Sequence, residues 1–175
     1  ELQGQWVVLD WSADDAKLLL QRYVSINESY LHVYDIAKKS LLEVRPVRSG
    51  GDKVSYGSAK FLGRDAIVAT SDEGADFRRL VRIDLKTNAS TPLAEGLDWD
   101  VDDLAVSPDA KTIAFTVNEG GTSVLYFVDP KQPKKRQPVK LPPAVVSLVA
   151  ACGTVLTGHS TPKEAFGAFG TPLLY

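Results

Sequence analysis

Hydrophobic and polar residues alternate along this chain in short runs, and the runs return in groups of four. Gln5 to Asp10 and Lys17 to Val24 are rich in strand-forming residues and are separated by the turn-forming Ser12-Ala13-Asp14-Asp15. A polar break at Ser25-Ile26-Asn27-Glu28-Ser29 leads into Tyr30-Leu31-His32-Val33-Tyr34-Asp35, where Tyr30, His32 and Tyr34 share one face and Leu31 and Val33 the other. Lys38-Lys39-Ser40 then turns the chain into Leu41-Leu42-Glu43-Val44. The same plan recurs: Val54 to Phe61, Ala66 to Ser71, Arg79 to Leu85 and Ser90 to Leu93, then Asp103 to Val106, Thr112 to Val117, Ser123 to Val128 and Gln137 to Leu141. A fourth group starts with Val145 to Ala150 and Val155 to Gly158 and then degrades through Ala165-Phe166-Gly167-Ala168-Phe169-Gly170. No segment sustains an apolar period of 3.6 residues, so almost no helix is expected.

The groups are copies. Trp11-Ser12-Ala13-Asp14-Asp15-Ala16-Lys17-Leu18 returns as Val106-Ser107-Pro108-Asp109-Ala110-Lys111-Thr112-Ile113, with a degraded version at Phe61-Leu62-Gly63-Arg64-Asp65-Ala66-Ile67-Val68. Each copy is followed by a strand-like run ending in an aspartate, at Asp35, Asp84 and Asp129, which lie 49 and 45 residues apart. A period of roughly 40 to 50 residues with four strands per unit indicates a β-propeller blade. A β-sandwich has similar strand statistics but leaves a four-strand unit recurring in register unexplained. The expected fold is all-β: a partial β-propeller of about 3.5–4 four-stranded antiparallel blades, forming a single fragment over 1–175 with blades at about 1–46, 54–94, 101–141 and 144–175.

Composition narrows the function classes. The chain has 175 residues, 44% of them hydrophobic, and a net charge of -2, which gives no bulk attraction to nucleic acid or an anionic membrane. The longest apolar run is of strand length, so no membrane-spanning helix and no membrane partner are expected. No signal peptide is recognisable at Glu1-Leu2-Gln3, and the chain contains no methionine, which reads as a trimmed or excised piece of a larger protein. Cys152 stands alone in an apolar setting, a small buried hydrophobe and not half of a disulfide. The composition suits a soluble protein without disulfides, cytoplasmic or periplasmic, and leaves the compartment open. The sequons at Asn27 and Asn88 are too short a signal to imply glycosylation.

Candidate chemistry is sparse. Gly158-His159-Ser160-Thr161-Pro162 approaches a nucleophile elbow but ends in proline, with no acid and histidine downstream. His32 alternates with two tyrosines on a strand and reads as a packed structural histidine. Two histidines and one cysteine far apart make no zinc spacing. Asp98, Asp100, Asp102 and Asp103 form an acidic cluster without the glycine and glutamate of an EF-hand. In an extended strand Asp98, Asp100 and Asp102 would share one side and Trp99, Val101 and Asp103 the other. The basic run Lys131-Gln132-Pro133-Lys134-Lys135-Arg136 lacks interleaved aromatics and reads as an exposed turn. Asp72, Glu73 and Asp76, on the connection between the second and third strands of the second unit, are the candidate substrate- or partner-contacting residues. The competing reading is a polar loop that satisfies its own backbone. No catalytic residue, metal ligand or cofactor is implied.

Several stretches resemble a known group. Asp10-Trp11-Ser12-Ala13-Asp14-Asp15-Ala16-Lys17 is similar to the "W-S-P-D-G-K" signature of TolB-like and prolyl-oligopeptidase-family propellers, with Ala16 and Ala110 in place of the usual turn glycine. Thr70 to Leu80 resembles the "S-D-x-x-x-E-F-x-x-L" blade connection of that peptidase family, and Asp98-Trp99-Asp100-Val101-Asp102 its "W-D-V" blade entry. Leu104 to Lys111 with Asn118-Glu119-Gly120-Gly121 resembles its "S-P-D-G…N-E-D-G" pattern. The resemblance covers residues 5 to about 158 and fits poorly from His159 onward. It implies the non-catalytic propeller portion of a serine peptidase that covers the active site and restricts access to short peptides. Its partners would be its own missing C-terminal α/β-hydrolase domain and a peptide substrate. The alternative is a TolB-like protein-interaction module. An open arc of blades leaves sheet faces and edges uncovered, so self-association is expected as well.

Overall fold

The computed structural model describes residues 2–45 and 52–139, all within one compact unit, Glu1–Val139. The fourth blade expected over 144–175, Cys152 and the His159-Ser160 pair lie outside the described residues. Among the described residues there is no helix, and hence none that could cross a membrane. Strands β1 (Gln5–Trp11), β2 (Lys17–Ser25), β3 (Glu28–Asp35) and β4 (Ser40–Val44) make blade 1. Blade 2 comprises β5 (Tyr56–Phe61), β6 (Ala66–Ser71), β7 (Arg79–Asp84) and β8 (Ser90–Leu93). Blade 3 comprises β9 (Val101–Val106), β10 (Ile113–Glu119), β11 (Thr122–Val128) and β12 (Arg136–Pro138). Each blade is a four-stranded antiparallel meander in sequence order, the architecture of a partial β-propeller.

The repeated motif forms the same turn in blades 1 and 3. The Ser12 N–H donates to the Lys17 carbonyl at 2.9 Å, its hydroxyl donates to the Asp14 carboxylate at 2.8 Å, and the Lys17 N–H donates back to that hydroxyl at 2.8 Å. Ser107 repeats all three bonds with Thr112 and Asp109, at 2.9, 2.7 and 3.0 Å. One serine side chain thus closes the turn as both donor and acceptor. The left-handed residues are Asp15 (φ 55°) and Ala110 (φ 56°). This corrects the placement of the missing glycine at Ala16: the aspartate before it takes the strained position, which a short polar side chain tolerates better than other L-residues. Ala110 has no such relief. Replacing it with glycine removes the strain and is expected to stabilise the protein by about 0.5–1 kcal/mol, raising Tm by ~2 °C in a thermal melt. A lower Tm would show that the turn does not hold Ala110 as described.

The periodic aspartates cap the turn after each third strand. Asp35 accepts the Lys38 N–H at 2.9 Å, Asp84 the Lys86 and Thr87 N–H groups at 3.0 and 2.9 Å, and Asp129 the Lys131 N–H at 2.8 Å. The Lys38 and Thr87 amides hold Asp35 and Asp84 below the usual carboxylate range.

Blade 2 sits between the other two and is packed on both faces. Ile67, Ala69, Val81 and Ile83 join Leu19, Leu31, Val33 and Val44 of blade 1 in one core. Val68, Leu80 and Leu93 join Val101, Leu104, Ile113, Phe115 and Val117 of blade 3 in the other. All six residues of β6 are buried, with Ala66 and Val68 toward blade 3 and Ile67 and Ala69 toward blade 1. Hydrogen bonds stitch the start of the third strand of one blade to the start of the inner strand of the next. The buried Ser29 hydroxyl donates to the Tyr56 carbonyl at 2.8 Å and accepts the Tyr56 N–H at 2.7 Å. The Arg78 N–H donates to Asp100 at 2.6 Å, and the Val101 N–H donates to the Arg78 carbonyl at 3.0 Å.

Candidate functional site

In a meander, the connections after the second strands lie at the blade end where the inner strands begin. Three polar loops and the inner-strand entries therefore share one end, and they contain every acidic candidate from the sequence. The β6–β7 connection carries Asp72, Glu73 and Asp76, with Gly74 supplying the left-handed turn (φ 62°).

Two of these three carboxylates serve the fold. Asp72 accepts the Ser55 N–H at 2.7 Å and returns its own N–H to the Ser55 carbonyl at 3.3 Å, clamping the loop to the start of its own inner strand. Glu73 is ion-paired with the Arg45 guanidinium, which arrives from the end of blade 1. The Glu73 carbonyl also accepts a bond from Arg79 at 2.9 Å. Asp76 is exposed, next to the exposed Phe77. Beside the ion pair, the buried Tyr56 phenol is pushed up to about 12, first by burial and then by the negative charge of Glu73. Nothing near Asp72 in sequence marks Ser55, Tyr56 or Arg45 as its neighbours, because they come from a different strand and a different blade.

The acidic entry of blade 3 differs from the expected alternation. Val101 is fully buried and Leu104 faces the same core, three residues on. A register shift between Thr116 and Val117 places a bulge opposite, so Asp102 is the extra residue and Asp103 leaves the Val101 side. Asp103 accepts the Ser58 hydroxyl at 2.6 Å, and Asp100 accepts the Arg78 N–H, so both acids bond blade 2. Among the described residues no three His, Cys, Asp or Glu side chains gather closely enough to hold a metal ion. Trp99 stays half exposed, its ring edge lying over Gly120.

His32 lies on the outer face of blade 1 but is itself buried, with its ring edge-on to Trp6 at 4.8 Å between centroids. Burial lowers its pKa below the usual value, and the Glu43 carboxylate 3.9 Å away only partly opposes this. The neutral ring is what this packing holds. The basic run after β11 is partly structural: Arg136 donates to the Glu95 and Gly96 carbonyls at 2.5 and 3.0 Å and lies 5.9 Å from the Tyr126 ring centroid, whereas Lys131, Lys134 and Lys135 point to solvent.

No protein-family model matches the sequence, and no curated protein is detectably similar to it. Solved structures are similar in fold. A putative TolB from Agrobacterium tumefaciens superposes with a TM-score of 0.63 at 9% identity, over 78% of this chain and 50% of that one. Oligopeptidase B from Trypanosoma brucei, in a closed form with covalently bound antipain, gives 0.62 at 21% identity, over 76% and 20%. A puromycin-hydrolyzing peptidase from Mycobacterium tuberculosis gives 0.60 at 13%, over 75% and 21%. At these identities the likeness establishes the β-propeller fold, and the chain spans one fifth to one half of the length of the structures it matches.

Proposed function

We propose that these blades are the non-catalytic propeller portion of a prolyl-oligopeptidase-like serine peptidase, placed over a hydrolase active site so that only short peptides enter. The observation that carries this reading is the fold likeness to two peptidases over about three quarters of this chain, together with the resemblance of Thr70 to Leu80 to the blade connection of that family. The partner in this reading is a C-terminal α/β-hydrolase domain bearing a G-x-S-x-G serine. Asp72, Glu73 and Asp76 are then the candidates for contact with a peptide's amino end. Asp76 supplies the free carboxylate, because Asp72 and Glu73 are committed to Ser55 and Arg45.

The test is substrate length. In the full-length enzyme the blades should bar long or folded substrates, and their deletion should release that restriction while the hydrolase still turns over short peptides. Unchanged length selectivity on deletion, or a reading frame that closes after these blades without a hydrolase, overturns the reading. A second reading, a TolB-like interaction module, draws on the TolB likeness. It requires a protein partner that binds the isolated chain. In both readings the isolated chain carries uncovered sheet faces, such as that of Phe127 on blade 3, and self-associates through them.

A further inference from the structure

At the end of the blades opposite the acidic loops, a cleft of about 250 Å³ opens between blades 1 and 2. Its floor is apolar, with Val33 and Leu42 from blade 1 and Leu85 from the turn after β7. Leu42 lies on the same sheet face as the buried Val44, yet it leaves 60% of its surface open to this space.

The rim is cationic. Lys17, Lys38, Arg64 and Lys86 stand around the floor against two carboxylates, Asp35 and Asp65. Both acids are engaged: Asp35 by Lys38 at 3.3 Å, and Asp65 by Lys86 at 3.0 Å. Lys17 and Arg64 enter no ion pair among the described residues. Both also line the neighbouring 130 Å³ hollow, where the one carboxylate, Asp14, is held by the Ser12 hydroxyl. Lys17 acts on Asp35 and Arg64 on Asp14 only at longer range, outside any ion pair. The rim thus keeps an excess of positive charge, with both side chains free to turn to a ligand at the edge of the aliphatic floor.

We propose that this cleft binds a small aliphatic carboxylate, with Lys17 and Arg64 holding the carboxylate and Val33, Leu42 and Leu85 receiving the aliphatic body. Arginine's planar fork suits a carboxylate and lysine adds a point charge. The volume lies below the roughly 300–1,000 Å³ of pockets that take drug-sized ligands, which selects a compact molecule. An inorganic anion would satisfy the rim and leave the floor wet. The carboxylate could be that of a free acid or of a peptide's C-terminus, and the two share this chemistry.

The test is a titration of the 175-residue chain followed by amide NMR, with N-acetyl-leucine, 4-methylpentanoate and the neutral N-acetyl-leucinamide as probes. Both acids should shift Leu42, Leu85 and the Arg64 turn saturably, with a dissociation constant of roughly 1 mM. The amide should bind at least roughly tenfold more weakly, since it cannot form the charge-assisted bonds. Tighter binding of N-acetyl-leucine than of 4-methylpentanoate assigns the site to a peptide terminus, and the reverse or equality assigns it to a free acid. Lys17→Gln with Arg64→Gln should abolish the shifts while the remaining spectrum stays folded, and the single Arg64→Gln change, on an exposed turn, guards against misfolding. Equal binding of the amide, undiminished binding to the variants, or shifts elsewhere on the chain overturns the proposal. None of these outcomes depends on a hydrolase partner.

Discussion

Phe115→Ala is expected to destabilise the protein by about 3–5 kcal/mol, the cost of emptying a large, fully enclosed aromatic site. Phe115 is buried at the centre of the core shared by blades 2 and 3, opposite Leu104 on one neighbouring strand and Tyr126 on the other. Its ring stacks on Tyr126 with centroids 5.4 Å apart and planes within 16°. Truncation removes that stacking along with the contacts to both sheets, and two hydrogen-bonded sheets cannot collapse far enough to refill the space. Domains of this kind are stable by only about 5–15 kcal/mol in total, so the loss is about a fifth of the margin or more. Urea denaturation of the variant and its parent measures it. A difference below about 0.5 kcal/mol, the range of ordinary surface substitutions, would mean that the two blades do not share this core.

Gly57→Ala is expected to cost about 1–3 kcal/mol, for a reason confined to a single contact. A Cβ added at Gly57 would lie 2.5 Å from the Thr70 hydroxyl oxygen, while the backbone there is not left-handed, so no torsional strain enters. Thr70 cannot step aside: it is fully buried, β-branched and set in the strand packed on both faces. Its hydroxyl also has no hydrogen-bond partner among the described residues, so no bond seen there is lost when that oxygen is removed. Thr70→Ala should therefore relieve the clash, and Gly57→Ala/Thr70→Ala should be more stable than the sum of the two single changes by about 1–2 kcal/mol. Stability of all four proteins by chemical denaturation closes the cycle. Strict additivity would show that Gly57 and Thr70 do not meet.

What the sequence disclosed and what it hid follow from the range of the forces involved. The turns at Ser12 and Ser107 and the capping aspartates are local, with each bond spanning five residues or fewer, so the same residue types recur at the same spacing and announce the blades. The strands follow from alternation wherever one face is wet. β6 departs from that rule because it has no wet face, and Ala66 to Ser71 reads as an undifferentiated run until two neighbours are known. The candidate acids were visible as acids, but their duties were not. Ser55 lies 17 residues from Asp72 in sequence and Arg45 lies 28 from Glu73, and no periodicity connects them. The bulge at Asp102 was equally hidden, since it depends on the pairing of β9 with β10. The cationic cleft is assembled from four segments between Lys17 and Lys86, each of which is an ordinary surface turn when read alone.

The two-sided burial of β6 also sets how freely this chain can vary. A strand with one solvent face can change half of its residues without consulting any other element. On β6 the positions from Ala66 to Ala69 answer to blade 1 or to blade 3, so a larger side chain at Ala69 must be matched by a smaller one around Leu31 or Val33, and one at Val68 by a smaller one around Phe115. The edge strands β4, β8 and β12 carry several exposed positions and bear far less of that obligation. Blade 2 is the keystone of the arc, and its small residues can change only together with those they touch.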